Sequence, residues 1–203
     1  MAHGGGPPPV PRRQGREGRT RRADAARNAD LLLAAAKELF EREGPEAALD
    51  EVAKRAGLGN ATLYRHFPTR GDLLVAVYAD EVADLCRRAE VSAERYAPGD
   101  ALFAWLDDFV VHVATKRALA LAVTEGPDER RTELFERWHE SMRSTAQRLL
   151  ARARAAGAVC GDLTVGDLLA LVSGAAMTAA DAAHAQRLLG IMRRGFEPAG
   201  PLV

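Results

Sequence analysis

The chain has 203 residues, enough for one or two small domains, and 47% of them are hydrophobic, enough to bury a core. No apolar run approaches the length of a membrane span, and "MAHGGGPPPVPRRQGREGRTRR" has no apolar h-region, which argues against a membrane protein or a secretory signal and makes a cytoplasmic location the expectation. Net charge is zero, yet residues 1–28 carry +5 and the remainder −5, the pattern of a basic arm for a polyanion joined to a mildly acidic body.

Residues 1–23 are Gly, Pro and Arg with almost nothing to bury and are expected to be a disordered basic arm. From residue 24 onward the periodicity is helical throughout. "ARNADLLLAAAKELFEREG" places Leu32, Leu33, Ala36, Leu39 and Phe40 on one stripe, and Gly44 followed by Pro45 stops it. "LDEVAKRAG" predicts a short helix with Leu49, Val52, Ala53 and Ala56 inward and Gly57 as its stop, and "NATLYRHF" predicts a third, very short one. "TRGDLLVAVYADEVADLCRRAEVSAERY" is long, with Leu73, Leu74, Val77, Tyr78, Val82 and Leu85 inward and Thr69 as its cap, with Asp72 three residues on. Four larger helical segments come next, near 101–121, 128–157, 164–182 and 183–196. About nine helices and no strand predict an all-α chain. Cys86 and Cys160 are expected to be reduced thiols, neither a disulfide nor a metal knuckle.

Residues 57–70, "GLGNATLYRHFPTR", carry the chemistry. Leu58 and Leu63 stand at the N′ and N4 positions of the short helix, a hydrophobic staple, and Leu63 and Phe67 share its inward face. Two short helices joined by about three residues, the second anchored inside and polar outside, make a helix-turn-helix over about residues 48–67. Asn60 has the paired donor and acceptor for an adenine edge, Thr62 suits a thymine methyl or a phosphate, and Arg65 reaches a guanine or the backbone. Tyr64, His66 and Arg70 have donors for phosphate oxygens; Thr69 and Arg70 open the next helix, where free backbone N–H groups favour an anion.

Residues 28 to about 88 resemble the DNA-binding domain of the TetR family of transcriptional regulators, through "LLLAAAKELFEREG", "DEVAKRAGL" and "ATLYRHFPTRGDLL". The resemblance implies a reading domain at 24–88 and an effector-binding and dimerisation domain at 89–203. By motif position it implies DNA contacts at Thr62, Tyr64, His66 and Arg70, and it leaves Asn60 and Arg65 where the family varies. Departures from the family pattern are Ala48 and Gly59 in place of Ser or Thr caps, Arg70 in place of Lys, and Gly71 at the following helix start. Loss of a Ser or Thr cap to Ala costs ~1 kcal/mol, and to Gly a few tenths. The arm, with Arg16, Arg19, Arg21, Arg22 and Arg27, then has a minor groove to enter.

The last two helices, about 165–196, are rich in Ala, Leu and Gly, and the resemblance implies that they pair with a second copy in a homodimer. "AGAVCGDLTVGDLLALVSG" is similar to the C-terminal domain of the SbtR-like subgroup. A small-molecule effector pocket is expected between the helices that begin near Ala101 and Asp128, lined by Phe103, Phe109, His112, Trp138, Met142 and Met177, with His112 a polar ring among apolar neighbours that can orient a ligand or titrate near neutrality. Asp108 and His112, four apart, offer two metal ligands but no third has convincing spacing, so no metal and no other cofactor is expected. No G-x-S-x-G, H-E-x-x-H or phosphate loop occurs, so no catalytic residues are assigned and an enzyme is not expected. The reading is a ligand-released repressor, nucleoid-associated when bound to double-stranded operator DNA. The alternatives are a metal-responsive regulator or an architectural DNA-binding protein without effector.

Overall fold

The computed structural model describes residues 14–124 and 129–196. They form eight helices and no strand: α1 (Gln14–Glu43), α2 (Leu49–Arg55), α3 (Asn60–His66), α4 (Arg70–Arg95), α5 (Pro98–Thr124), α6 (Glu129–Ala155), α7 (Val165–Thr178) and α8 (Ala182–Phe196). The all-α reading is borne out. One correction falls at the start, because residues 14–23, expected to be disordered, are helical, while residues 1–13 lie outside the described residues. From Gln14 to Ala26 there is no proline, and Gln, Arg, Glu and Ala propagate a helix that the buried stripe further along has nucleated.

The small N-terminal bundle packs α1 on α2, α3 and α4, and Leu32, Ala36, Leu39, Val52, Leu63 and Leu73 are all fully buried in it. Gly44 (φ 83°) ends α1. Gly57 (φ 68°) turns the chain out of α2, where its N–H reaches Lys54 O and the Leu58 N–H reaches Ala53 O at 2.9 Å, a Schellman closure that delivers Leu58 to the start of α3. Both α2 and α3 start without a side-chain cap, on Ala48 and Gly59. By contrast α4 opens on the expected Thr69–Asp72 capping box, and α7 on a second one, Thr164–Asp167.

α4 runs unbroken past residue 88, so the boundary drawn there falls inside a helix that packs on α1 at one end and on α5 and α6 at the other. α5 forms the centre of the larger bundle, touching α4, α6, α7 and α8, with Leu102, Trp105, Leu106 and Val110 fully buried. Its first turn lies so close to the end of α6 that a Cβ on Gly99 would sit 2.7 Å from the Ala158 Cβ. Ion pairs tie the two bundles together. Lys37 of α1 meets Asp80, Glu81 and Asp84 of α4, and Lys116 of α5 meets Glu41 of α1 at 2.7 Å and Glu81 of α4 at 3.6 Å. Cys86 and Cys160 are not joined in a disulfide, and no described helix is long and apolar enough to cross a membrane.

Candidate nucleic-acid interface and ligand cavity

α3 is held from below. Leu63 is fully buried, Phe67 is nearly so, and Leu58 packs against the same core. Seven residues are too few to form a stable helix alone, so tertiary anchoring sets its position. Its other side faces out: Asn60, Ala61, Tyr64 and Arg65 are exposed, and Thr62 and His66 are half-buried. α3 has no acid in its first turn, and its last turn is basic through Arg65 and His66, as is that of α2 through Lys54 and Arg55. A narrow helix with small residues leading, donors along one face and positive charge at the far end has the shape and sign for a major groove. Arg27 is exposed on α1.

Two of the expected contacts are used inside the protein. The Thr69 hydroxyl accepts from the Asp72 N–H at 3.1 Å and donates to Asp72 Oδ2 at 2.7 Å, so its donor and an acceptor site serve the α4 cap instead of a phosphate. Arg70 is half-buried, and its Nη1 donates to Pro45 O at 2.8 Å and Ala47 O at 2.7 Å. It is a strut between the start of α4 and the α1–α2 turn, and sequence spacing missed it because the two carbonyls lie more than twenty residues upstream.

In the larger bundle a cavity of about 330 Å³ opens among α4, α5, α6 and α7. Phe109, His112, Met142 and Met177 line it as expected. Phe103 and Trp138 do not. Phe103, six residues from Phe109, sits on another side of α5, stacked on Phe196 and beneath the Arg193 guanidinium at 4.6 Å from its ring. Trp138 packs behind the wall, 5.1 Å from the Tyr78 ring. The walls that sequence reasoning left out are Tyr78 of α4, Phe135 and His139 of α6, and Leu169 and Ser173 of α7. The signal was present, since Tyr78 and Phe135 fall on inward stripes, but periodicity does not separate a cavity wall from filled core.

Of the two expectations for His112, the titration near neutrality is corrected. Burial, reinforced by the positive charges of Lys116, His139 and Arg88, pushes its pKa down to about 4, so it is neutral near pH 7 and does not titrate there. Its Nε2 is buried without a hydrogen-bond partner among the described residues. Burial also pushes the Tyr78 phenol up to about 12. Asp108 is taken by Arg88 at 3.1 Å, and among the described residues no three His, Cys, Asp or Glu side chains gather to hold a metal.

An anchored short helix with a basic outer face, set on a helical body, defines a helix-turn-helix DNA-binding protein. Residues 32–77 match the family model for bacterial regulatory proteins of the tetR family, and residues 97–198 match the model for the C-terminal domain of SbtR-like transcriptional regulators. The solved structure of a TetR transcriptional regulator from Streptomyces coelicolor is 34% identical and covers 85% of this chain and 99% of its own, with a TM-score of 0.73. A TetR transcription regulatory protein from Mycobacterium vanbaalenii is also 34% identical, covering 87% and 99%, with a TM-score of 0.72. An HTH-type transcriptional regulator of Staphylococcus aureus (strain USA300) is 42% identical over 53 residues, and the chain spans only 29% of the length of that curated relative. The chain belongs to the TetR family of transcriptional regulators, which are DNA-binding transcription factors and not enzymes.

Proposed function

We propose that the protein is a ligand-responsive repressor that binds a palindromic operator as a homodimer and leaves it when a small molecule fills the α4–α7 cavity. The observation that carries this reading is Lys116. It lines the cavity, and the same ammonium pairs with Glu41 of α1 and Glu81 of α4. An occupant that shifts α5 therefore shifts a partner of the helix beneath the reading head, which provides a physical link between two sites. Repression is the simpler sign, because an occupied operator blocks transcription without further contacts.

The dimer reading draws on α7 and α8. Their solvent side presents Ala170, Leu171, Gly174 and Met177 on one helix and Gly190 and Ile191 on the other, small residues interleaved with apolar ones. Leu171 and Ile191 are about half exposed (49% and 57%), which suits a surface covered by a second copy. Two heads about one helical turn apart then read two half-sites. Asn60, Thr62, Tyr64, Arg65 and His66 are the proposed contacts in the major groove and on flanking phosphates, with Arg27 and the basic start of α1 reaching the neighbouring backbone.

The test is selection of bound duplexes from a random pool, then titration of the winning duplex with and without small molecules that stabilise the protein. A palindromic winner that is released by such a molecule supports the reading. Similar affinity for unrelated duplexes makes the protein an architectural binder, and release by a metal ion alone makes it a metal sensor.

A further inference from the structure

The cavity wall specifies what kind of molecule fits it. Tyr78, Phe109, Phe135, Met142 and Leu169 make most of the enclosure apolar or aromatic. Two cations border it, and both are already paired: Lys116 with Glu41 and Glu81, and Arg143 with Glu140 through two bonds of 2.8 and 2.9 Å. Each cation's charge is thus already offset by at least one acid, so the cavity offers an entering carboxylate or phosphate no uncompensated positive charge to repay its desolvation. One buried polar side-chain atom is left over among the described residues. His112 is only 8% exposed and its Nε2 has no protein partner there, a state that is unfavourable until something bonds to it. Its ring lies 5.7 Å from the Tyr78 ring. As the neutral imidazole, Nε2 offers either a proton or a lone pair, and a hydroxyl answers both while a carbonyl answers the first.

We infer that the cavity takes an uncharged, mainly apolar molecule with an aromatic or similarly flat body, whose single hydroxyl or carbonyl oxygen bonds to His112 Nε2. The inference deepens the effector reading of the same cavity and rests on that reading only for the occupant's effect on DNA binding. Affinity comes from apolar contact, and selection comes from one hydrogen bond together with the desolvation cost of an anion where both bordering cations are already neutralised.

Three probes of one shape separate the possibilities: naphthalene, 2-naphthol and 2-naphthoate, titrated into the full chain by calorimetry. The expected order is 2-naphthol tightest, about 3- to 10-fold tighter than naphthalene as one net hydrogen bond allows, and 2-naphthoate weakest. His112→Phe is expected to bring 2-naphthol down to the affinity of naphthalene. The inference is overturned if 2-naphthoate binds as tightly as 2-naphthol, if none of the three binds, or if a folded His112→Phe protein keeps the ratio of 2-naphthol to naphthalene. Should His112→Phe fail to fold, the order of the three probes on the unaltered chain decides. Operator release is measured separately: a probe that binds in the expected order and leaves DNA affinity unchanged supports the cavity chemistry and removes the effector reading.

Discussion

Replacing Arg70 by Met removes the guanidinium and keeps most of the aliphatic stem. In the folded protein that guanidinium makes two bonds from one nitrogen, 2.8 Å to Pro45 O and 2.7 Å to Ala47 O. A hydrogen bond from a charged donor contributes about 1.5–3 kcal/mol, and half-burial together with a shared donor puts the pair near the lower end, roughly 2–3 kcal/mol in all. For a chain of this length that is a fall in Tm of about 5–10 °C, read by calorimetry or circular dichroism without DNA. Arg70→Lys is expected to keep most of the stability, because both bonds come from a single nitrogen and an ammonium has three protons to give. A residue whose role is phosphate contact behaves differently: its loss leaves Tm alone, weakens every duplex alike and lowers the salt slope by about one. An Arg70→Met protein that melts with the parent while its DNA affinity drops would refute the strut.

Changing Tyr64 and Arg65 together to Ala is expected to leave stability within about 1 kcal/mol of the parent, since both are exposed, and to weaken the selected duplex at least tenfold; equal binding by anisotropy removes the major-groove assignment. His112 has a folded pKa of about 4 against 6.5 unfolded, so the unfolded chain takes up the proton first. Stability from this group is therefore intact above pH 6.5 and is lost as pH falls toward 4, by roughly 3 kcal/mol at 1.4 per unit. His112→Phe should flatten that part of the Tm–pH curve, and an unchanged acid limb speaks against it. Leu171→Glu combined with Ile191→Glu should yield a folded monomer by light scattering that has lost tight operator binding; a dimer that survives both charges places the interface elsewhere.

Much of the fold was written in the chain because its punctuation is local. Gly44, Gly57 and Gly157 all adopt the positive φ that a helix stop requires, and the Thr69–Asp72 box needs only a spacing of three. The inward stripe of α4, from Leu73 to Leu85, was legible for the same reason. What escaped was long-range. Arg70 folds back over more than twenty residues, the second capping box at Thr164 sits in a turn that was not read as a cap, and Lys116 meets Glu41 across 75 positions. The cavity was half legible: helical spacing found Phe109, His112, Met142 and Met177, but it gave Phe103 the wrong side of α5 and could not bring Tyr78 across from α4.

The two acids that hold Lys116 differ in their access to water. Glu81 is nearly enclosed (16% exposed) while Glu41 is open (62%), so the tie to α4 is shielded from salt and the tie to α1 is not. Ionic strength therefore weakens the Lys116 tie to α1 before the one to α4, while the less exposed acids around Lys37 go on joining α1 to α4, so concentrated buffer should loosen the link between α5 and α1 and leave the reading head seated.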